Sequence, residues 1–338
     1  MILGIPLVLG MILRYKKEDL AIKISKMLKP ISIIVFVVIV IIAFSKNVDV
    51  FNNYIHHVLK IGILHNLLAI FLGFLVAKGF RVIRFDNRDA GLSSQLDQFG
   101  SPNLFKIWLS KRLPIKTHIP YTLDDMANDV LELMAALKIK KAHLVGASMG
   151  GMIAQLIAAK NKKKVLSLTS IMSSSGKPKL SASSLKLFLQ LAKHRPRQFS
   201  RDSAIHYNIK LNQLIGSPAY PQNEQALRKQ ATLGVDRAHN PQGFNRQLAA
   251  IAASDCRQHL MPKINVRTLV IHGSLDPVMP VAAGKQTAQQ IRKSKLKIVN
   301  GMGHDFPPAL MAKMTKWISK HVKKAEQKRT QKKLKNKP

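Results

Sequence analysis

Apolar positions are distributed in two different ways along this chain. Up to residue 79 they form nearly unbroken runs. Residues 1–13 are interrupted only by glycines and Pro6, residues 31–44 (ISIIVFVVIVIIAF) hold Ser32 as their one polar side chain, and residues 61–77 include His65 and Asn66. A helix needs about 17–25 apolar residues to cross a bilayer. The third run has that length alone, and the second reaches it with Met27, Leu28 and Ser45. A soluble core strand usually ends after about four to eight residues, so the pattern predicts two to three transmembrane helices within residues 1–78. The first run has neither a basic leader nor a small-residue cleavage site, so it does not read as a signal peptide.

Beyond residue 79 the periods shorten. Residues 81–86 (RVIRFD) alternate as a strand does. Leu123, Met126, Val130, Leu131, Met134 and Leu137 fall on one helical stripe. A short apolar run then leads from Ala142 to Ala147, and a helical stretch of small and apolar residues follows it. Residues 268–273 (TLVIHG) and 296–300 (LKIVN) are two further strands, each closing on a loop. Strands alternating with helices define an α/β class with a parallel sheet.

Charge adds topology. Lys and Arg number 54 against 17 Asp and Glu, a formal net charge of +37, which draws the chain toward anionic surfaces such as a membrane leaflet. Arg14, Lys16, Lys17, Lys23, Lys26 and Lys29 crowd the loop between the first two apolar runs, whereas residues 45–59 hold only Lys46. By the positive-inside rule the first loop is cytoplasmic, and a third span returns the rest of the chain to that side. The lone Cys256 excludes an intrachain disulfide and fits a reducing compartment. No Cys/His cluster has metal-ligand spacing, and no cofactor is expected.

The chemistry centres on residues 142–159. An apolar strand enters G-x-S-x-G at Gly146, Ser148 and Gly150, and a helix leaves it, the context of a nucleophile elbow. Gly146, Gly150 and Gly151 do not supply the G-x-G-x-x-G of a dinucleotide site. An elbow serine needs an acid and a base, in the chain order Ser, Asp/Glu, His. Asp276 follows the strand ending at Gly273, and His304 follows the strand ending at Asn300. Both loops lie at the end of the sheet where the elbow sits. Asp276 is therefore expected to orient His304, and His304 to take the Ser148 proton. Asp305, adjacent to His304, is a poor alternative acid.

FDNRDAGLSS (85–94), HLVGASMGGMIAQ (143–155), VIHGSLDPVMP (270–280) and GMGHDFP (301–307) resemble the α/β-hydrolase superfamily, specifically esterases similar to aclacinomycin methylesterase, over about residues 80–322. The resemblance implies Ser148 as nucleophile, Asp276 as acid, His304 as base, the Met149 backbone N–H as one oxyanion donor, and cofactor-free hydrolysis of a small carboxylic ester. Relatives that open epoxides or displace halide carry Asp where Ser148 stands. IPLVLGMILR (5–14), KPISIIV (29–35) and HNLLAIFLGFLVA (65–77) resemble part of a bile acid:sodium symporter.

The expected organisation is a membrane segment over 1–78, an α/β-hydrolase sheet over 79–322 with a helical cap at about 176–260, and a basic disordered tail over 323–338. The cap holds 13 Lys/Arg against Asp202, Glu224, Asp236 and Asp255, read as solvated charge rather than a site for acidic substrates. The tail lacks aromatics for base stacking, so membrane lipid is the expected partner and specific nucleic acid is not. Superfamily members begin with further strands before the stretch matching residues 79–86, and one of those loops supplies a second oxyanion N–H. With those strands absent, a loss of about 10²–10³ in rate is expected. A catalytically weak fusion remnant and a transport-related membrane protein are the alternative readings.

Overall fold

The computed structural model describes residues 79–110, 113, 116–176, 187, 189–191, 193–194 and 200–335. The chain divides into two units, Met1–Gly62 and Ile63–Pro338, and the described residues all belong to the second. The membrane-helix expectation and the question of missing N-terminal strands fall on residues 1–78, outside the described residues. Among the described residues, no helix is long and apolar enough to cross a membrane.

Four strands form one parallel sheet in the order β1 (Ala142–Ala147), β2 (Val165–Ile171), β3 (Arg267–Gly273), β4 (Ser294–Val299). Chain order equals spatial order, and the strands are parallel because each connection is a crossover that returns to the same end of the sheet. β2 went unread in the sequence, although VLSLTSI is a β-branched apolar run of ordinary strand length. It is buried at nearly every position because helices cover both faces.

The helices are α1 (Leu104–Ser110), α2 (Leu123–Ala136), α3 (Met149–Lys160), α4 (Arg201–Ile215), α5 (Glu224–Arg237), α6 (Pro241–Ala253), α7 (Val281–Gln290) and α8 (Pro308–Lys335). Thr122 starts α2 with a capping box: its hydroxyl accepts from the Asp125 N–H, and the Asp125 carboxylate accepts from the Thr122 N–H. Leu123, Met126 and Val130 bury their stripe against α3, and Met134 on the same stripe is also buried, as their spacing predicts. Leu137 is exposed because the helix has ended at Ala136. On the opposite face, Leu310, Met311, Met314, Ile318 and Val322 of α8 bury against β2 and β3 through Ile171, Leu269 and Ile271.

Two expectations are corrected. Residues 81–86 join no strand of the described sheet, and Ile83 and Phe85 are exposed. An alternating pattern makes a strand only where a neighbouring strand accepts its hydrogen bonds, and β1 pairs with β2 alone among the described residues. The basic run after residue 322 is helical through Lys335 rather than a disordered tail. Lys, Arg, Gln, Glu and Ala are strong helix formers, and Ala325 keeps the apolar stripe buried for another turn. Glu326 ties the helix back by a 3.0 Å contact with the His143 ring on β1.

Candidate active site

The turn from β1 into α3 sets the geometry. Ser148 has φ 51° and ψ −119°, a conformation that costs energy for any residue with a Cβ. Backbone and side-chain hydrogen bonds hold it. The Ser148 N–H donates to the Ile171 carbonyl at 2.9 Å, the Ser173 hydroxyl donates to the Ser148 carbonyl at 2.7 Å, and the Gly151 N–H donates to that same carbonyl at 3.0 Å. A Cβ on Gly146 would lie 2.2 Å from the Gly150 carbonyl oxygen, and one on Gly151 would lie 2.7 Å from Ser173 Oγ. Gly150 faces open space, so the tight downstream position is Gly151. The Ser148 hydroxyl makes no capping hydrogen bond to α3, which leaves it available to a partner across the sheet end.

That partner is His304. Its Nε2 lies 3.0 Å from Ser148 Oγ, and its Nδ1 lies 2.7 Å from Asp276 Oδ2. The three residues singled out in the sequence thus meet in one hydrogen-bonded chain. The Asp276 side chain is fully buried, and its Oδ1 accepts the N–H groups of Val278 at 2.9 Å and Met279 at 2.7 Å. Both carboxylate oxygens are therefore engaged, one by the following turn and one by the imidazole. Met149 opens α3, so its N–H is among the first-turn donors that have no partner within the helix.

His272 played no part in the sequence reading. Its ring is buried at the end of β3, its Nε2–H donates to the Met279 carbonyl at 2.8 Å, and Gly284 of α7 leaves room for it. Burial lowers its pKa, so the ring stays neutral and braces the Asp276 turn.

Asp305 takes no part in the Ser148 chain. Its carboxylate accepts from the Ser217 hydroxyl and, at 3.4 Å, from Gln222 Nε2, and burial raises its pKa. Ser217 Oγ in turn accepts the Gly303 N–H at 2.8 Å. The loop bearing His304 is thereby fastened to the segment that follows α4. No lone motif signals this, because the two stretches are far apart in sequence.

The loop at residues 86–97 is a second cluster that the sequence left without a role. Burial would raise the Asp89 pKa, but Arg246 overrides that and holds it low. The two side chains are fully buried and joined twice at 2.8 Å, and Arg246 also reaches Asp97 Oδ1 at 2.7 Å and the Gly100 carbonyl at 2.7 Å. Arg237 pairs with Asp86, and Arg88 with Asp129. Gly91, at φ 56°, leaves no space for a Cβ, which would fall 2.3 Å from the Asp86 carboxyl. Arg201 pairs with Asp236, and Arg257 donates to the buried Ser174 carbonyl at 2.8 Å. These cap arginines bind protein groups, so their charge is not simply solvated.

Known proteins resemble this chain in sequence and in fold. The chain is 23% identical over 279 residues to the rhodomycin D methylesterase DauP of a Streptomyces species, covering 74% of this chain and 84% of that one. It is 27% identical over 188 residues to 3-oxoadipate enol-lactonase 1 of Acinetobacter baylyi, covering 53% and 63%. The bromoperoxidase-titled BpoC of Mycobacterium tuberculosis superposes with a TM-score of 0.54 at 21% identity, covering 74% and 85%. A hydrolase of Pseudomonas aeruginosa superposes at 0.52 and 22%, covering 74% and 81%. Residues 1–54 match the Sodium Bile acid symporter family. The alpha/beta hydrolase fold profile matches residues 61–307, reaching back into the third apolar run, and by that match the chain belongs to the alpha/beta hydrolase fold family.

Proposed function

We propose that this chain is a serine hydrolase of carboxylic esters that works through an acyl-enzyme. The observation that carries the reading is the unbroken chain Asp276 Oδ2, His304 Nδ1, His304 Nε2, Ser148 Oγ, with links of 2.7 and 3.0 Å. Buried Asp276 keeps the proton on Nδ1, which leaves the Nε2 lone pair facing the Ser148 hydroxyl. As Oγ attacks the ester carbonyl, its proton passes to Nε2, and the imidazolium beside Asp276 is stabilised. The carbonyl oxygen becomes an oxyanion at the N-terminus of α3, where the Met149 N–H and the helix dipole stabilise it. His304 returns the proton to the leaving alkoxide, and the acyl group stays on Ser148. Water then attacks the acyl-enzyme as His304 takes its proton, and His304 passes that proton to Ser148 Oγ as the carboxylic acid leaves. Relatives named as a methylesterase and an enol-lactonase support a carboxylic ester as the substrate class.

Membrane attachment through residues 1–54 is part of the proposal, supported by the symporter-family match and by the apolar runs, with the hydrolase unit on the cytoplasmic side. Two experiments test the reading. A fluorophosphonate probe should label the wild-type chain and leave Ser148→Ala unlabelled; equal labelling of both would overturn the nucleophile. Carbonate washing should leave the full chain in the membrane pellet, and its release would overturn the attachment.

A further inference from the structure

Because all four strands run parallel, the residues that lead into them share one end of the sheet, and those that leave them share the other. The two ends differ in charge. Lys138, Lys140 and Lys141 precede β1, and Lys162, Lys163 and Lys164 precede β2. Lys263 and Arg267 lead into β3, while Arg292, Lys293 and Lys295 lead into β4. All of these except Arg267 are exposed. At the other end, residues 172–176, 274–280 and 300–307 contain no Lys or Arg, and they hold the acids Asp276 and Asp305. Ser148 sits at that second end, at the close of β1.

The last helix extends the basic end. Its 28 residues span about 42 Å at about 1.5 Å each, roughly twice the length of the seven-residue strand β3 beneath it. The contact between Glu326 and His143, the second residue of β1, brings α8 to the start of the sheet. Lys323 and Lys324 stand exposed on that turn, and Lys328 and Arg329 follow it. In all these stretches the only acid is Glu326, which His143 and Arg329 share. None of the ion pairs among the described residues engages any of the lysines named. Adjacent strands lie about 4.8 Å apart, so the starts of the four strands span only about 14 Å. Cations this dense repel one another unless an anionic partner neutralises them.

We propose that this end of the sheet docks on an anionic lipid surface and thereby turns the Ser148 end toward water. The cations stand on exposed turns instead of converging on a pocket, which matches a spread of headgroup charge better than one bound phosphate. These stretches contain no Phe, Trp or Tyr, so they offer no stacking platform for nucleic-acid bases. A bilayer is the surface that the symporter-like residues 1–54 would bring alongside. The proposal does not rest on the esterase reading.

Lysine acetylation of the full-length chain in vesicles tests it, with mass spectrometry reading each site. Phosphatidylcholine vesicles are compared with vesicles containing phosphatidylglycerol, at low and high salt. At low salt the anionic vesicles should slow acetylation of Lys138, Lys140, Lys141, Lys162, Lys163 and Lys164 about fivefold or more. High salt should abolish the protection, and Lys106 and Lys229 should react alike throughout. Lys162→Glu, Lys163→Glu and Lys164→Glu combined should remove the protection at Lys138, Lys140 and Lys141 while ester hydrolysis persists. Equal acetylation in the two vesicle types overturns the proposal. So does stronger protection by added RNA in phosphatidylcholine vesicles than by phosphatidylglycerol.

Discussion

The backbone N–H of His304 donates to the carbonyl of Ile215, the last residue of α4, at 2.7 Å. His304 is therefore positioned by the end of α4 as well as by the sheet. The Gly303 N–H bond to Ser217 Oγ and the Ser217 hydroxyl bond to Asp305 bracket that link on either side. A Cβ on Gly303 would come within 2.3 Å of the Gly216 carbonyl oxygen, so the two backbones meet with nothing between them.

This latch predicts a kinetic signature. Ser217→Ala removes both bracketing bonds and loosens the His304 loop without touching substrate. The expected result is a fall in kcat of about ten- to a hundredfold with KM nearly unchanged, since a displacement of about 1 Å suffices for that loss. Ser217→Thr keeps the hydroxyl and should recover most of the rate. A change confined to KM would show that the latch shapes the pocket instead.

Asp276→Asn tests the orienting carboxylate. An amide cannot stabilise the imidazolium, and it favours the wrong imidazole tautomer, so kcat should fall by about 10⁴. The unfolding midpoint should move much less, because the Asn oxygen can still accept the N–H groups of Val278 and Met279. Stopped-flow acylation and thermal unfolding of the same sample separate the two effects.

The buried pair Asp89 and Arg246 predicts an asymmetry in stability. Arg246→Leu strands the Asp89 carboxylate without its partner and should cost about 3–5 kcal/mol. Combining it with Asp89→Asn removes the stranded charge and should recover much of that loss. Asn also tolerates the φ of 64° at position 89. Denaturant titration of the single and double variants measures the coupling, and additive costs would refute it.

His321 predicts a pH dependence of stability. Burial lowers its pKa to about 4, and its Nε2–H donates to the Leu168 carbonyl at 3.1 Å. Between its ordinary value near 6.5 and about 4, the unfolded chain binds a proton that the folded chain refuses. Stability from this residue is thus fully present above pH 6.5, is lost as pH falls, and levels off below about 4. The loss should approach about 3 kcal/mol. His321→Gln keeps a donor toward Leu168 and should flatten the slope in that window relative to wild type. An unchanged slope would contradict the assignment.

How much of this was legible in the sequence follows from the range of each interaction. The elbow was legible because its requirements are local: a strand, a glycine before the serine, and a helix after it, all within residues 142–160. The order Ser148, Asp276, His304 was legible because a parallel sheet sends every strand end to the same side. The stripe of α2 is likewise encoded by neighbours three and four residues apart, whereas its Thr122 capping box went unread. Only the tertiary structure decided the rest. Residues 81–86 alternate like a strand, but a strand needs a partner's hydrogen bonds, and that partner is not named by the pattern. The basic run after residue 322 looked solvated, yet it continues a helix whose buried stripe reaches Ala325. Arg246 and Asp89 lie 157 residues apart, and no spacing rule joins them. Their pairing, like that of Ser217 with Asp305, exists because tertiary packing excludes water and brings groups far apart in sequence within hydrogen-bond reach.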